Sequence, residues 1–177
     1  MARLLGISGS LRRESFNTKL VHEAFRQYGE CEASVADLNL PLFNEDVEAA
    51  GMPATVVALK EQVEAADALV ISTPEYNKNP PGVLKNALDW LSRFKPMPTV
   101  GKPTVVLSAT AGMAGGQRSQ SALYLMLVPF NIELLANPEV FVGAAHTKFA
   151  EDGTLSDAAT AEFLGKKMQM LRERLGE

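Results

Sequence analysis

The side chains best able to bind a small ligand lie in two turns, each directly after a short apolar run. The first turn, residues 8–17, offers hydroxyl, amide and guanidinium donors. The second turn, residues 73–82, combines an aromatic ring, a carboxylate and amides with several prolines that restrict the backbone. This mixture suits a flat, hydrogen-bonding ring better than it suits a catalytic triad. The candidate binding residues are Ser10, Arg12, Ser15, Asn17, Pro74, Glu75, Tyr76 and Asn77.

The first turn is typical of a phosphate site. A helical pattern follows it directly, and backbone N–H groups at a helix start carry partial positive charge. Ser10 and Ser15 can add hydroxyl donors, and Arg12 can neutralise a dianion. The same residues are equally compatible with a simple helix cap at Ser15 or Asn17 beside solvated arginines.

Other phosphate-binding motifs fit this turn poorly. The Walker pattern G-x-x-x-x-G-K-[ST] is absent, and only Gly9 follows the first strand, where a dinucleotide fingerprint needs three spaced glycines. A cysteine phosphatase needs a thiolate in the loop, whereas the single cysteine, Cys31, lies elsewhere. Flavin mononucleotide (FMN), with one terminal phosphate and a flat ring, remains compatible with both turns.

The strands and helices that position these turns are predicted from alternating apolar runs and helical stripes. Strands are predicted at 4–8, 33–38, 68–72, 103–109 and within 132–142, interrupted near Pro138, with helical stripes between them. Such alternation predicts one α/β domain over residues 1–177: a doubly wound, five-stranded parallel sheet of order 2-1-3-4-5 with helices on both faces. In that order the ligand crevice lies between strands one and three, so the two polar turns should be neighbours. Residues 41–53 are expected to form a surface connection, and Ser156 to cap the last helix.

Composition narrows the partners and the compartment. The chain has 177 residues and a formal charge of −4, which disfavours nucleic acid and anionic lipid as partners. No apolar run approaches the roughly 20 residues that span a bilayer. The lone Cys31 fits a reducing compartment, so a cytoplasmic location is expected. His22 and His146 lack metal-ligand spacing, and no metal is predicted.

One predicted helix carries more apolar surface than the sheet can cover. Residues 122–128 are apolar around nearly the whole circumference, and Trp90 falls off the buried stripe of the helix at 83–91. Large exposed apolar patches are uncommon on monomers. The pattern therefore predicts a homodimer, or a homotetramer, built through these two helices.

Three motifs, in order and spacing, carry a family resemblance. They are Gly9-Ser10-Leu11-Arg12 with Ser15 and Asn17; Pro74-Glu75-Tyr76-Asn77 with Pro81-Gly82-x-Leu84-Lys85-Asn86-Ala87-x-Asp89-Trp90; and Gly115-Gly116-x-Arg118-x-Gln120. Together they resemble the NADPH-dependent FMN reductase family, which includes quinone and chromate reductases of flavodoxin-like fold. The similarity covers essentially the whole chain.

The resemblance implies a cofactor, a reaction and site residues. Ser10, Arg12, Ser15 and Asn17 match the family's phosphate loop; Pro74, Glu75, Tyr76 and Asn77 match the segment that holds the ring; Ser108 and the turn containing Gly112 match the third wall. No protein side chain is expected to be catalytic, because flavin N5 carries the chemistry. Hydride would pass from NADPH or NADH to FMN and then to a quinone, chromate, azo compound, ferric complex or free flavin, with ping-pong kinetics.

Three points stay open at the level of sequence. Glu75 or Tyr76 could relay protons, and Arg13 or Lys78 could bind the 2′-phosphate of NADPH. The alternative functions are a flavodoxin-like electron carrier and a structural FMN-binding protein without turnover. NADPH oxidation with a quinone by the purified protein alone would separate the enzyme from the carrier, and bound flavin that NAD(P)H does not reduce would indicate the structural protein.

Overall fold

A computed structural model describes residues Met1–Glu177 and shows a parallel β-sheet between two layers of helices. The strands are β1 (Arg3–Ser8), β2 (Glu32–Val35), β3 (Ala68–Thr73), β4 (Pro103–Ala109), β5 (Glu133–Leu134) and β6 (Val140–Val142). The α-helices are α1 (Phe16–Tyr28), α2 (Glu45–Ala50), α3 (Ala54–Ala65), α4 (Gly82–Leu91), α5 (Gln117–Leu127) and α6 (Ala158–Arg174), and short 3₁₀ turns occupy Val128–Phe130 and Ala145–Thr147.

The strand order is β2-β1-β3-β4-β5, as the sequence predicts. All pairings are parallel, and the predicted fifth strand is divided in two. β5 pairs with the start of β4 and β6 with its end, so the sheet has six strands. The division falls around Pro138, which lacks the N–H that a continuous ladder requires.

Each face of the sheet has its own apolar core. Alternate strand residues such as Leu4 and Val70 pack with α1 and α6, whereas Leu5 and Leu69 pack with α3, α4 and α5. This alternation follows from the two-residue period of a strand. Burial on both faces explains why the central residues of β3 and β4 are apolar, while the polar residues Ser72, Thr73 and Ser108 lie toward the carboxyl ends of these strands.

Trp90 is buried within its own chain, and the prediction that it lies at a subunit interface is wrong. Its side chain is 0% exposed, its Nε1 donates to the Pro41 carbonyl at 2.8 Å, and its ring meets Phe43 edge-on at 5.0 Å. Asn86 of the same helix is also buried, and its Oδ1 accepts from the Phe43 N–H at 2.8 Å. The connection after β2 therefore covers a second face of α4, which the helical stripe alone does not reveal.

Residues 41–53 lie at the surface, as predicted, and they contain the short helix α2, whose start is capped by Asn44 accepting from the Asp46 N–H at 2.8 Å. One local expectation is corrected. The cap of α6 is Asp157 rather than Ser156, because the Asp157 carboxylate accepts from the Thr160 N–H at 2.9 Å. None of the helices has the length and apolar character needed to cross a membrane.

Candidate functional site

The two polar turns meet at the carboxyl ends of β1 and β3. The Gly9 N–H donates to the Ser72 carbonyl at 2.8 Å, which continues the ladder one residue beyond β1. A Cβ on Gly9 would lie 3.0 Å from Pro74 Cδ and 3.1 Å from Pro81 Cγ. Because both neighbours are rigid rings, a Cβ at position 9 would push the two turns a few tenths of an ångström apart.

A cavity of about 340 Å³ opens between these turns and the end of β4. This volume falls in the usual range for small-molecule sites. Eight of the ten predicted site residues line it; Asn77 and Ser108 do not. Its lining consists of Ser10, Arg12, Ser15, Phe16, Asn17, Pro74, Glu75, Tyr76, Ala109, Thr110, Ala111 and Gly112.

The first turn presents donors that the protein itself does not use. Ser15 caps α1, and its Oγ accepts from the N–H groups of Asn17 at 3.2 Å and Thr18 at 3.3 Å. Its own hydroxyl hydrogen is therefore free to point outward. The backbone N–H groups of residues 10, 11 and 13–16 donate to no protein acceptor. An anion at this helix start would meet a ready set of donors.

The Asn17 side chain is directed into the sheet and not toward a phosphate. Its Oδ1 accepts from Ser72 Oγ at 2.8 Å and from the Ala109 N–H at 3.1 Å, and its Nδ2 donates to the Ala109 carbonyl at 3.0 Å. The residue thus ties α1 to the ends of β3 and β4. Sequence spacing identified Asn17 as polar and near the cavity but gave no indication of this bridging role.

Asn77 lies at the tip of a tight turn outside the cavity. Tyr76 and Asn79 exchange backbone hydrogen bonds at 3.0 and 3.1 Å. The two residues between them, Asn77 and Lys78, have φ values of 51° and 69°, as a type I′ turn requires. Asparagine tolerates this left-handed conformation. Because Asn77 lies at the tip of this turn, it does not line the cavity, although the preceding residue, Tyr76, does.

Glu75 forms an ion pair with the start of α5. Arg118 Nε lies 2.9 Å and its terminal nitrogen 2.7 Å from Glu75 Oε1, and the Ser119 N–H donates to Oε2 at 3.4 Å. Burial by itself would raise the pKa of Glu75, but the hydrogen bonds from Arg118 and Ser119 and the charge of Arg118 outweigh it, so the pKa is lowered. Glu75 is therefore an ionised anchor, which disfavours it as a proton relay.

Ser108 lies behind the third wall of the cavity. It is 0% exposed, and its Oγ donates to the Gly115 carbonyl at 2.6 Å. Gly116 has a φ of 90°, and a Cβ there would lie 2.8 Å from Ser108 Cβ, so the glycine-rich turn closes over the serine. Ser108 thus supports the turn, while Thr110 and Gly112 face the cavity.

The third wall is fixed by the last residue of β6 and by the segment that follows it. The Thr110 N–H donates to the Val142 carbonyl at 2.9 Å, and the Ala144 N–H donates to the Gly112 carbonyl at 3.0 Å. The N–H groups of Glu75, Ala111 and Gly112 have no protein acceptor. They supply unused backbone donors around the part of the cavity opposite the first turn.

The donor set fits FMN. A helix start with free N–H groups and a free serine hydroxyl suits a terminal phosphate, and free N–H groups on two further walls suit the nitrogens and carbonyls of a flat ring. Fold and site together define a flavodoxin-like, mononucleotide-binding domain of the doubly wound α/β class.

Comparison with known proteins identifies the family. Residues 2–147 match NADPH-dependent FMN reductase. The chain is 42% identical over 172 residues to an NAD(P)H-dependent FMN reductase of Pseudomonas aeruginosa, covering 96% of this chain and 93% of the relative. It is 37% identical over 167 residues to a quinone reductase of Escherichia coli K12, covering 92% and 89%. The solved structure of FerB, a flavoenzyme NAD(P)H:(acceptor) oxidoreductase from Paracoccus denitrificans, superposes with a TM-score of 0.91 at 30% identity and covers 99% of this chain and 98% of its own.

The chain therefore belongs to the NADPH-dependent FMN reductase family. It is an oxidoreductase of the FMN- and NAD(P)H-dependent type, with a flavodoxin-like fold. The family, fold, enzyme class and cofactor predicted from the sequence are confirmed.

Two features of the site escaped the sequence analysis. Phe16 lines the cavity and stacks on Phe149, with ring centroids 6.0 Å apart. An aromatic residue at the first helical position was a usable signal, but its partner is 133 positions away and could not be chosen from the pattern. The pairing of Glu75 with Arg118 was missed for the same reason, since opposite charges are plentiful along the chain.

Proposed function

We propose that the protein binds FMN with its phosphate at the first turn and its ring between residues 74–76 and 109–112. The free N–H groups at the start of α1 and the free hydroxyl hydrogen of Ser15 support the phosphate end. Arg12, exposed beside the cavity, supplies a cation there. The free N–H groups of Glu75 and Gly112 support the ring end.

Bound FMN would supply the chemistry, accepting hydride from NADPH or NADH at N5 and passing it to an acceptor. The protein would bind and orient the cofactor and its substrates and shield them from water. Tyr76, 51% exposed at the cavity wall, can contact the edge of a ring or an incoming substrate. The carboxylate of Glu75 stays ionised beside Arg118, and we do not assign it a proton.

The cavity between the two turns favours alternate binding of the two substrates. The chain has no separate dinucleotide-binding unit, so nicotinamide and acceptor would use the same opening in turn. Quinones are the proposed acceptor class, supported by the quinone reductase among the relatives and by the apolar and aromatic residues Phe16 and Tyr76 at the cavity. Chromate, azo compounds, ferric complexes and free flavin are the remaining candidates.

We also propose a homodimer or homotetramer in which α5 meets a symmetry mate. Leu125 of α5 and Val128, which directly follows α5, are 76% and 70% exposed, while Leu123 and Leu127 of α5 are buried. The apolar residues of this helix thus occupy two faces, and only one packs on the sheet. A monomeric mass by light scattering at micromolar concentration would refute this assembly. Separately, we propose a cytoplasmic location, supported by the lone Cys31.

The main support for FMN binding is the set of backbone N–H groups around the cavity that have no protein acceptor. Visible spectroscopy of the purified protein tests the proposal. Purified protein reconstituted with FMN should be yellow, and anaerobic NADPH should bleach it. Steady-state turnover with a quinone should give parallel double-reciprocal lines. Failure to retain FMN would refute the proposal. Bound flavin that NADPH and NADH leave oxidised would favour an electron carrier or a structural flavoprotein, and intersecting lines would refute alternate binding.

A further inference from the structure

The ring-side loop is fastened to the start of α5 by four polar contacts. Arg118 contributes two of them, both to Glu75 Oε1, at 2.9 and 2.7 Å. Ser119 contributes the other two: its N–H donates to Glu75 Oε2 at 3.4 Å, and its Oγ donates to the Pro74 carbonyl at 2.7 Å. Consecutive residues of one helix therefore hold consecutive residues of the loop.

The two members of the ion pair lie in different environments. The Glu75 side chain is 11% exposed and forms part of the cavity wall, whereas the Arg118 side chain is 58% exposed. A carboxylate in that position presents negative charge to whatever fills the cavity. Arg118 and the N-terminal end of α5 offset that charge from the side away from the cavity. An exposed cation thus compensates an anion that water reaches poorly.

We propose that Arg118 is a positioning residue that, through Glu75, fixes the loop from Pro74 to Tyr76 and neutralises the charge that the flavin ring meets. This inference rests on the proposed binding of FMN. Reduction of a flavin adds negative charge to its ring, so the charge of neighbouring groups shifts its reduction potential. Removing the cation leaves Glu75 as an unbalanced anion, and removing the anion leaves Arg118 as an unbalanced cation.

The two halves of the pair therefore have opposite predicted effects on the reduction potential. Arg118→Met should make the potential of bound FMN more negative, and Glu75→Gln should make it more positive. The double variant should return it toward the wild-type value. A pair that only held the loop in shape would give shifts of the same sign for both substitutions, because each breaks the same contacts.

The chain offers a matched control at the opposite end of the sheet. Arg174 and Glu133 form a bidentate ion pair, with Nε 2.5 Å from Oε1 and a terminal nitrogen 2.6 Å from Oε2; their side chains are 51% and 37% exposed. Neither residue lines the cavity. Arg174→Met and Glu133→Gln remove the same chemical groups from a comparable pair, so they measure what loss of an ion pair does without contact with the ligand.

The experiment compares these variants for FMN affinity, reduction potential and melting temperature. The dissociation constant comes from quenching of FMN fluorescence during titration of the apoprotein, and the potential from equilibration with reference dyes. Both site variants should weaken FMN binding about ten-fold, the effect of losing one charged hydrogen bond. The control variants should leave affinity and potential unchanged. Arg118→Lys, which keeps the charge but not the paired geometry, should retain the wild-type potential and lose part of the affinity.

The outcomes separate the two proposals. Wild-type protein that does not bind FMN would overturn both. If wild-type protein binds FMN but the two site variants shift the potential in the same direction, or match the controls, only the role of Arg118 is overturned. If Arg118→Met fails to fold, Arg118→Lys and Glu75→Gln still decide the question, since the first must keep the potential and the second must raise it.

Discussion

The two ends of the sheet use their polar groups differently. At the amino end, Lys102 Nζ donates to the carbonyls of Glu64 and Ala66 at 2.9 and 2.5 Å, and the Arg3 N–H donates to the Asp67 carboxylate at 2.7 Å. At the carboxyl end, the N–H groups of residues 10, 11 and 13–16 have no protein acceptor. Donors at one end stabilise the fold, and donors at the other are left for a ligand. Binding and stability should therefore respond to different substitutions.

The contact between the two turns offers the strongest test of this separation. Gly9→Val would drive a side chain against Pro74 and Pro81, which lie 3.0 and 3.1 Å from the position of the Cβ. We expect FMN affinity to fall at least about 100-fold, about 2.7 kcal/mol, with helix content retained. Fluorescence titration and far-ultraviolet circular dichroism would measure both.

Gly82→Val is the control for this substitution. No atom lies within 4 Å of a Cβ at Gly82, so the same side chain should be accepted there with little change in affinity. Gly9→Val protein that binds FMN within three-fold of wild type would show that the close approach of the turns is not needed for binding.

A smaller effect is expected from the two helix caps. Ser15→Ala and Asp157→Ala each remove the cap of one helix, α1 or α6, and each should lower the free energy of unfolding by about 1 kcal/mol. Only Ser15 lines the cavity, so only Ser15→Ala should also weaken FMN binding, by about ten-fold. Urea unfolding of the apoprotein and FMN titration would be compared for both variants; equal affinities would remove Ser15 from the phosphate site.

Lys167 should affect stability without affecting FMN binding. Its ammonium group is 0% exposed and donates to the carbonyls of Leu135 and Ala136, both at 2.6 Å. Burial lowers the pKa of Lys167 to about 8, although the charge of Glu139 opposes this shift. Between about pH 8 and 10.5 the unfolded chain keeps a proton that the folded chain has lost, so the free energy of unfolding should rise with pH, by about 3 kcal/mol at most.

The measurement is urea unfolding of the apoprotein from pH 7 to pH 10.5, for wild type and for Lys167→Met. The rise with pH should be smaller in Lys167→Met than in wild type and unchanged in Lys166→Met, whose side chain lies on the surface. The comparison between variants is needed because the pKa of Lys102 is also lowered by burial. FMN affinity at pH 7 should be the same in all three. A rise of equal size in Lys167→Met and wild type would assign the pH dependence to another group.

The sequence predicted the parts of the molecule that follow from local periodicity. Strand order and the meeting of the two turns follow from the alternation of apolar runs with helical stripes and from right-handed crossovers. The wrong prediction concerns Trp90, and the missing one concerns the ion-pair partner of Glu75; both depend on residues far along the chain. A tryptophan off the helical stripe indicates that a second surface covers it. It does not say whether that surface belongs to another subunit or, as found, to the loop around Pro41.

In the site, too, residue types were predictable from the sequence, whereas side-chain orientations were not. Residue types in the first turn predicted donors for a phosphate, because capping and anion binding both need them at a helix start. The orientation of the Asn17 amide could not be predicted, since an asparagine there can turn outward to a ligand or inward to the strands. Asn77 shows the same limit: its sequence context fits a ligand contact and a tight turn equally well, and the turn becomes visible only in the backbone conformation.

The Asn17 bridge has a kinetic consequence. Because one amide joins the first helix to the ends of two central strands, the wall that would meet a phosphate and the wall that would meet a ring cannot drift apart in the empty protein. The cavity walls should therefore need little further ordering when FMN binds. Binding should follow a single exponential whose observed rate constant rises in proportion to FMN concentration. Slow release, rather than slow entry, would then account for tight retention of the coenzyme.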